Sequence, residues 1–257
     1  MAVLPALHAL TGPVLSAILA AGIVLLAALL KGAIGFGFPT LGTPLLSLVM
    51  DVKAAVVVLI LPNIVMDSVQ FVRRGAPMAT VRRFSVLLLF GAVGTVLGTR
   101  LLVGLSSRTA TLILGIFIVG FVALNATGLT LHVSRRWEPW LSPVAGLLAG
   151  VVGGITNVPG TPLVIYFHAL RLGKHEFVAS VALTFVAYKV VQLGAVFYYG
   201  LLSPSLVGVS LGLTLVALLG FGLGLVVQDR LEQRTFNRVI LMVLGLLGLW
   251  LVVRGLR

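Results

Sequence analysis

The stretch Lys31-Gly-Ala-Ile-Gly-Phe-Gly-Phe-Pro39, with Gly42-Thr-Pro-Leu45 just beyond it, breaks an otherwise apolar run with glycine and proline. The second of these motifs recurs 118 residues later as Gly160-Thr-Pro-Leu163. A glycine-rich stretch again precedes it, Gly153-Gly-Ile-Thr-Asn-Val-Pro-Gly160. A motif that recurs in the same local setting indicates that the chain contains two copies of one unit.

Further matches follow in the same order along the chain. Gly32 and Gly35 fall on Gly150 and Gly153 at the offset of 118, and Arg100-Leu101 falls on Arg230-Leu231 at an offset of 130. Small loop insertions explain the increase of the offset from 118 to 130. We therefore predict a first repeat over residues 1–134, with a hairpin at 14–50 and helices at about 54–72, 81–103 and 109–131. The second repeat covers 135–257, with a hairpin at 139–170 and helices at about 176–199, 204–228 and 236–254.

The composition identifies the bilayer as the main solvent of this chain. Hydrophobic residues make up 60% of the 257 residues and charged residues 9%, against about 25% charged in soluble domains. At roughly 20 apolar residues for each spanning helix, the length allows about eight membrane segments. The net charge of +12 comes from basic residues in short loops, which is the pattern of membrane topology and not of nucleic-acid binding.

Several chemistries are excluded by the residues that the chain lacks. It has no cysteine, which rules out disulfides and thiolate metal sites. Its four histidines are scattered, so neither a haem nor a metal site is expected, and no phosphate-binding Gly-x-x-x-x-Gly-Lys motif occurs. We therefore expect no cofactor, no metal and no enzymatic activity.

The loop charges also bear on the orientation of the two copies. If the first segment of each copy turns back as a hairpin, eleven basic residues lie inside and five outside. If that segment crosses once, the same residues divide eight to eight. The positive-inside rule therefore favours a hairpin and an odd number of crossings in each copy. The predicted fold is an all-α polytopic membrane protein of two inverted repeats, each a broken-helix hairpin plus about three transmembrane helices.

The hairpin tips are the first candidate site. Threonine is a good N-cap and proline is favoured in the first turn, so Gly42-Thr43-Pro44 and Gly160-Thr161-Pro162 each predict a helix start. Helix N-termini carry unpaired N–H donors and a partial positive charge. Two of them meeting near the midplane would form an anion site, as paired broken helices do in transporters.

Polar residues within the apolar runs are the second indication of function. Asn63, Asp67 and Gln70 share one helix face, and Lys189 and Gln192 lie in the matching helix of the second copy. We predict that Asp67 and Lys189 form either an ion pair or a coupling site. The candidate substrate-binding residues are Lys31, Gly35, Phe36, Gly37, Phe38, Thr43, Asn63, Asn157, Gly160, Thr161, Tyr166 and Gln192.

Two motifs resemble a known family. Gly32-x-x-Gly-Phe-Gly-x-Pro39 and Gly153-Gly-x-x-x-x-x-Gly-Thr-Pro-Leu-x-x-Tyr166 are similar to the TauE/SafE family of TSUP transporters, over nearly the whole chain. The resemblance implies a secondary transporter that exports sulfite or an organosulfonate such as sulfoacetate across the inner membrane. An anion channel and an uptake permease of the same substrates are the alternatives. The expected partners are this anion, the lipid bilayer and protons as a candidate coupling ion, with the chain a monomer or a homodimer.

Overall fold

The computed structural model describes residues 12–74, 78–127, 133–134, 136–227 and 233–257, and these form helices and turns with no strand. Seven spans in this part of the chain are long and apolar enough to cross a membrane, and the last helix contributes a shorter apolar stretch, Leu241–Leu256. The prediction of an all-α polytopic membrane protein is confirmed. The helices are α1 (Pro13–Ile34), α2 (Phe38–Leu46), α3 (Val52–Val58), α4 (Ile60–Arg74), α5 (Met78–Arg83), α6 (Ser85–Gly104), α7 (Ser107–Thr127), α8 (Glu138–Thr156), α9 (Gly160–Ala169), α10 (Lys174–Tyr198), α11 (Pro204–Val227) and α12 (Gln233–Leu256).

The first hairpin turns through two glycines. Gly35 ends α1 and Gly37 precedes α2, both with φ of 99°, in the left-handed region that glycine tolerates. Pro39 then occupies the first turn of α2, where its missing N–H removes no hydrogen bond. The predicted helix start at Gly42-Thr43-Pro44 is wrong, because α2 begins at Phe38 and Pro44 lies inside it. In the second hairpin, α9 does begin at Gly160.

A proline also divides one membrane span. α3 and α4 follow each other as one span, Val52–Arg73, that is interrupted at Leu59. Pro62 has no N–H to donate to the carbonyl of Val58, one turn earlier. The hydroxyl of Ser210, from α11, donates to this carbonyl instead at 2.8 Å. The break is therefore compensated within the protein, as a polar backbone group in a membrane must be.

The first helix of each copy packs against a helix of the other copy. α1 of the first copy packs against α11 of the second, and α8 of the second packs against α6 of the first. The remaining large contacts join matching helices, α4 with α10 and α7 with α12. This pattern is the one that a two-fold repeat produces, and the inverted orientation of the two copies stays a prediction.

Glycines allow the closest of these contacts. The carbonyl of Leu25, in α1, faces Gly220 of α11 where a side chain would otherwise be, and the carbonyl of Val151, in α8, faces Gly98 of α6 in the same way. Close backbone approach through small residues is typical of helix packing in membranes. In α6 and α11, Gly91, Gly94, Gly98, Gly220 and Gly224 lie at such close contacts, whereas a Cβ at Gly222 would meet nothing within 4 Å.

Candidate functional site

A buried ion pair lies next to the tip of the first hairpin. The ammonium of Lys31, in the last turn of α1, donates to Oδ1 of Asp67, in α4, at 2.5 Å. Both side chains are almost completely buried, with exposures of 0% and 1%. Asp67 thus pairs directly with Lys31 and not with Lys189, which corrects the predicted ion pair, whereas a coupling role of Asp67 and Lys189 stays a prediction.

Lys189 is a second buried cation, and no carboxylate of the described residues contacts it directly. Its ammonium donates to the carbonyl of Asn157 at 3.3 Å, to the side-chain oxygen of Asn157, and to Oε1 of Gln192 at 2.6 Å. It is 1% exposed. Lys189 is still close enough to interact electrostatically with both Asp67 and Lys31. The three charges therefore form one cluster at the contact between α4 and α10.

The two hairpins have the same construction around this cluster. Asn157 ends α8 in the left-handed conformation, as Gly35 ends α1. Gln70 donates to the carbonyl of Gly35 at 2.5 Å, and Gln192 donates to the carbonyl of Gly153 at 3.2 Å. Both glutamines therefore hold the end of the first helix of their own copy.

A side-chain hydrogen bond joins the two hairpins to each other. The amide nitrogen of Asn157 donates to the hydroxyl of Thr43, in α2, at 3.2 Å. Both side chains are completely buried. Asn157 thus connects Lys189 to the first hairpin, and the two tips and the charged cluster form one continuous polar centre.

Several polar atoms of this centre have no hydrogen-bond partner among the residues that the structure describes. Both amide atoms of Asn63 and the second carboxylate oxygen of Asp67 are buried and lack a hydrogen bond. The two residues lie four positions apart on one face of α4 and are neighbours. Buried polar groups in proteins are almost always hydrogen-bonded. Unpartnered groups beside a buried excess of positive charge therefore indicate a place for a polar ligand.

A cavity of about 120 Å³ lies between the two hairpins. This volume is about ten times what one water needs, so a small anion fits it. Phe36 and Gly37 of the first tip line it, as do Thr40 of α2 and Gly160 of α9. The charged side chains do not line the cavity. Phe185 does, and the ammonium of Lys31 lies 5.8 Å from the centre of its ring.

Two of the predicted site residues, Phe38 and Tyr166, lie away from the cavity lining, and the side chain of a third, Thr161, is not described. Phe38 is completely buried in the apolar core around α1 and α3, away from the cavity lining. The hydroxyl of Tyr166 shares a hydrogen bond of 2.6 Å with Ser142, and its ring lies in an apolar cluster with Phe167 and Phe177. Thr161 lies in the first turn of α9, and its side chain is outside the described part of the structure.

The structure also adds residues that the list of candidate substrate-binding residues did not contain. Gln70 holds the first hairpin, and Thr40, Asn125 and Phe185 line the cavity. The sequence indicates Gln70 only as a polar side chain in an apolar run, on the same helix face as Asp67. An apolar Phe185 in an apolar helix gives no such signal.

Membrane-spanning helices around a buried charged centre between two broken helices are typical of membrane transporters. The sequence model of the family described as "Sulfite exporter TauE/SafE" matches residues 19–251. The chain belongs to this family and is a multi-pass membrane transporter. No curated protein and no solved structure gives a significant match to the chain.

Proposed function

We propose that this transporter exports a small sulfur-containing anion, sulfite or an organosulfonate such as sulfoacetate, across the inner membrane. The observation that carries the proposal is the second buried lysine. Lys31 is neutralised by Asp67, whereas Lys189 is bound only by neutral oxygens. An uncompensated charge at membrane depth is costly. An anionic substrate at this place would lower that cost.

The membrane potential favours the outward direction. With the inside of the cell negative, each negative charge that leaves gains about 2.3 kcal/mol per 100 mV. Export of an anion therefore needs no separate source of energy. Burial of the whole charged cluster also favours a carrier over an open pore, since Lys31, Asp67, Asn157 and Lys189 are all at most 1% exposed.

The experiment has a binding part and a transport part. Thermal unfolding of the purified protein is first measured with sulfite, thiosulfate, sulfoacetate and taurine, and a ligand should raise the midpoint in a saturable way. Proteoliposomes are then loaded with the best ligand, and uptake of the labelled anion is followed. We expect saturable uptake that unlabelled anion on the opposite side stimulates.

Other outcomes would contradict the proposal in distinct ways. A current that does not saturate with concentration would identify an anion channel. Uptake in cells that falls when the chain is deleted would identify an uptake permease. Absence of both binding and flux for all four compounds would remove sulfur anions as the substrate.

A further inference from the structure

The contacts of Lys189 favour its ammonium form. Its nitrogen lies within hydrogen-bond distance of three oxygen acceptors, two on Asn157 and one on Gln192. A neutral amine has only two N–H bonds, whereas an ammonium has three, so three acceptors suit the charged form. Lys31 contacts a carboxylate and the ring of Phe185, both partners of a cation.

The charges that face Asp67 can be counted from each element packed on α4. α1 contributes Lys31 and α10 contributes Lys189. α11 contains no titratable residue in Pro204–Val227, and Lys53 of α3 donates to the carbonyl of Val103 instead. Two ammonium groups and one carboxylate leave the centre with a net charge of plus one.

The carboxylate of Asp67 can also change its charge without breaking an existing contact. Oδ1 of Asp67 is held by Lys31, and its other oxygen has no partner. A proton on this open oxygen would need an acceptor, and the unpartnered amide oxygen of Asn63 lies one turn earlier on the same face. The fold therefore leaves one carboxylate oxygen open to a proton, with an unpartnered amide on the same helix face as a candidate acceptor.

We infer that this centre neutralises one unit of negative charge, so that a monoanionic sulfonate binds as it is and a dianionic one binds together with a proton on Asp67. A monoanion brings the net charge of the centre to zero. A dianion would leave a net charge of minus one inside the membrane, and a proton taken from solution restores neutrality. The inference rests on the proposed function and names the charge class of its substrates.

The test compares two sulfonates that differ by one charge, methanesulfonate and sulfoacetate. Binding to the purified full chain is measured by calorimetry between pH 6 and pH 8, in buffers of different ionisation enthalpy, which reports the protons taken up. We expect one proton for each sulfoacetate bound and none for methanesulfonate. The affinity for sulfoacetate should then fall by about tenfold for each pH unit, the slope of one linked proton, while that for methanesulfonate stays constant.

The variant Asp67→Asn identifies the group that takes the proton. It raises the net charge of the centre to plus two, so sulfoacetate should bind without proton uptake and without a pH slope. A slope that survives in Asp67→Asn would place the proton on the anion or elsewhere and overturn the inference. Equal proton uptake for both anions in the wild-type protein would overturn it without any variant.

These outcomes are separate from a failure of the proposed function. A wild-type protein that binds both sulfonates with no difference in proton uptake refutes the charge rule alone. A wild-type protein that binds neither sulfonate, and none of the other sulfur anions, refutes the proposed function and the charge rule together.

Discussion

Asp67 holds Lys31 through only one of its two carboxylate oxygens, at 2.5 Å, in surroundings from which water is excluded. Both partners are charged, and neither has solvent to stabilise it alone. Because removal of one partner of a buried pair leaves an uncompensated charge, it destabilises a protein by roughly 3–5 kcal/mol. The pair is therefore expected to behave as a unit.

The first prediction follows from this coupling. Lys31→Met should lower the free energy of unfolding by about 3 kcal/mol or more, and the double variant Lys31→Met/Asp67→Asn should recover most of the loss. Unfolding in detergent gives the four values of the double-mutant cycle. Additive losses from the two single changes would show that the ion pair is not the main interaction of either residue.

The second prediction concerns Lys189 as the charge that the anion neutralises. Lys189→Gln should weaken binding of methanesulfonate by at least about tenfold, which corresponds to roughly 1.4 kcal/mol. Lys53→Gln removes the same charge at the start of α3, where Lys53 contacts the carbonyl of Val103 and not the cluster. The control should keep its affinity. Equal losses in both variants would mean that general charge, and not the cluster, attracts the anion.

The third prediction tests the close contact of α1 and α11 with two glycines of the same helix. A methyl group at Gly220 would meet the backbone carbonyl of Leu25, whereas one at Gly222 meets nothing within 4 Å. Gly220→Ala should therefore destabilise the protein by about 1–3 kcal/mol. Gly222→Ala should be neutral or stabilise it by about 0.5–1 kcal/mol. Thermal unfolding compares them, and a similar loss in both would refute the contact.

The fourth prediction concerns an ionic network at the start of α6. Arg83 donates two hydrogen bonds to Glu138, of 2.7 and 3.0 Å, and one of 2.8 Å to Glu176. The pKa of Arg83 is raised, mainly by the hydrogen bonds to Glu138 and against the effect of burial. A raised pKa in the folded state means that this stabilisation is lost only when pH rises through that pKa. Arg83 thus stays charged throughout the physiological range.

The two glutamates of the network should differ in their contributions. The side chain of Glu138 is 8% exposed, and that of Glu176 is 40% exposed. Glu138→Gln should therefore lower the free energy of unfolding by about 1.5–3 kcal/mol, the range for hydrogen bonds to charged groups. Glu176→Gln should lower it by less than about 1 kcal/mol, because solvent screens the exposed pair. Chemical unfolding of both variants decides the order, and a larger loss for Glu176→Gln would contradict it.

The sequence predicted the membrane class and the residues of the polar centre better than their contacts. Asn63, Asp67, Lys189 and Gln192 could be identified because polar side chains in apolar runs are rare. Their pairing could not, since Lys31 and Lys189 are equally plausible partners for Asp67 until α1 is placed. The predicted start of α2 was wrong for a local reason. Both Pro39 and Pro44 suit the first turn of a helix. Because Gly37 is the left-handed residue before α2, Pro39 occupies that turn and Pro44 lies inside the helix.

The offset between the two copies was also predicted only in part from the sequence. The Gly-Thr-Pro-Leu motif gives an offset of 118, but the helix ends Gly35 and Asn157 are 122 residues apart. The larger offset also relates Asp67 to Lys189 and Gln70 to Gln192. Only the backbone conformation at the two helix ends reveals it. In this register Asn63 of the first copy corresponds to Phe185 of the second, so one polar and one aromatic residue occupy matching places.

The last prediction tests whether the cavity between the hairpins is on the path of the anion. The natural chain contains no cysteine, so a single introduced cysteine is the only thiol. Thr40 lines the cavity, whereas Thr99 is also buried, in α6, and does not line it. In Thr40→Cys, a methanethiosulfonate reagent that carries a sulfonate group should react readily, and methanesulfonate should slow the reaction. Thr99→Cys should react slowly and without protection. Mass spectrometry measures both rates, and equal rates in the two variants would exclude the cavity from the anion's path.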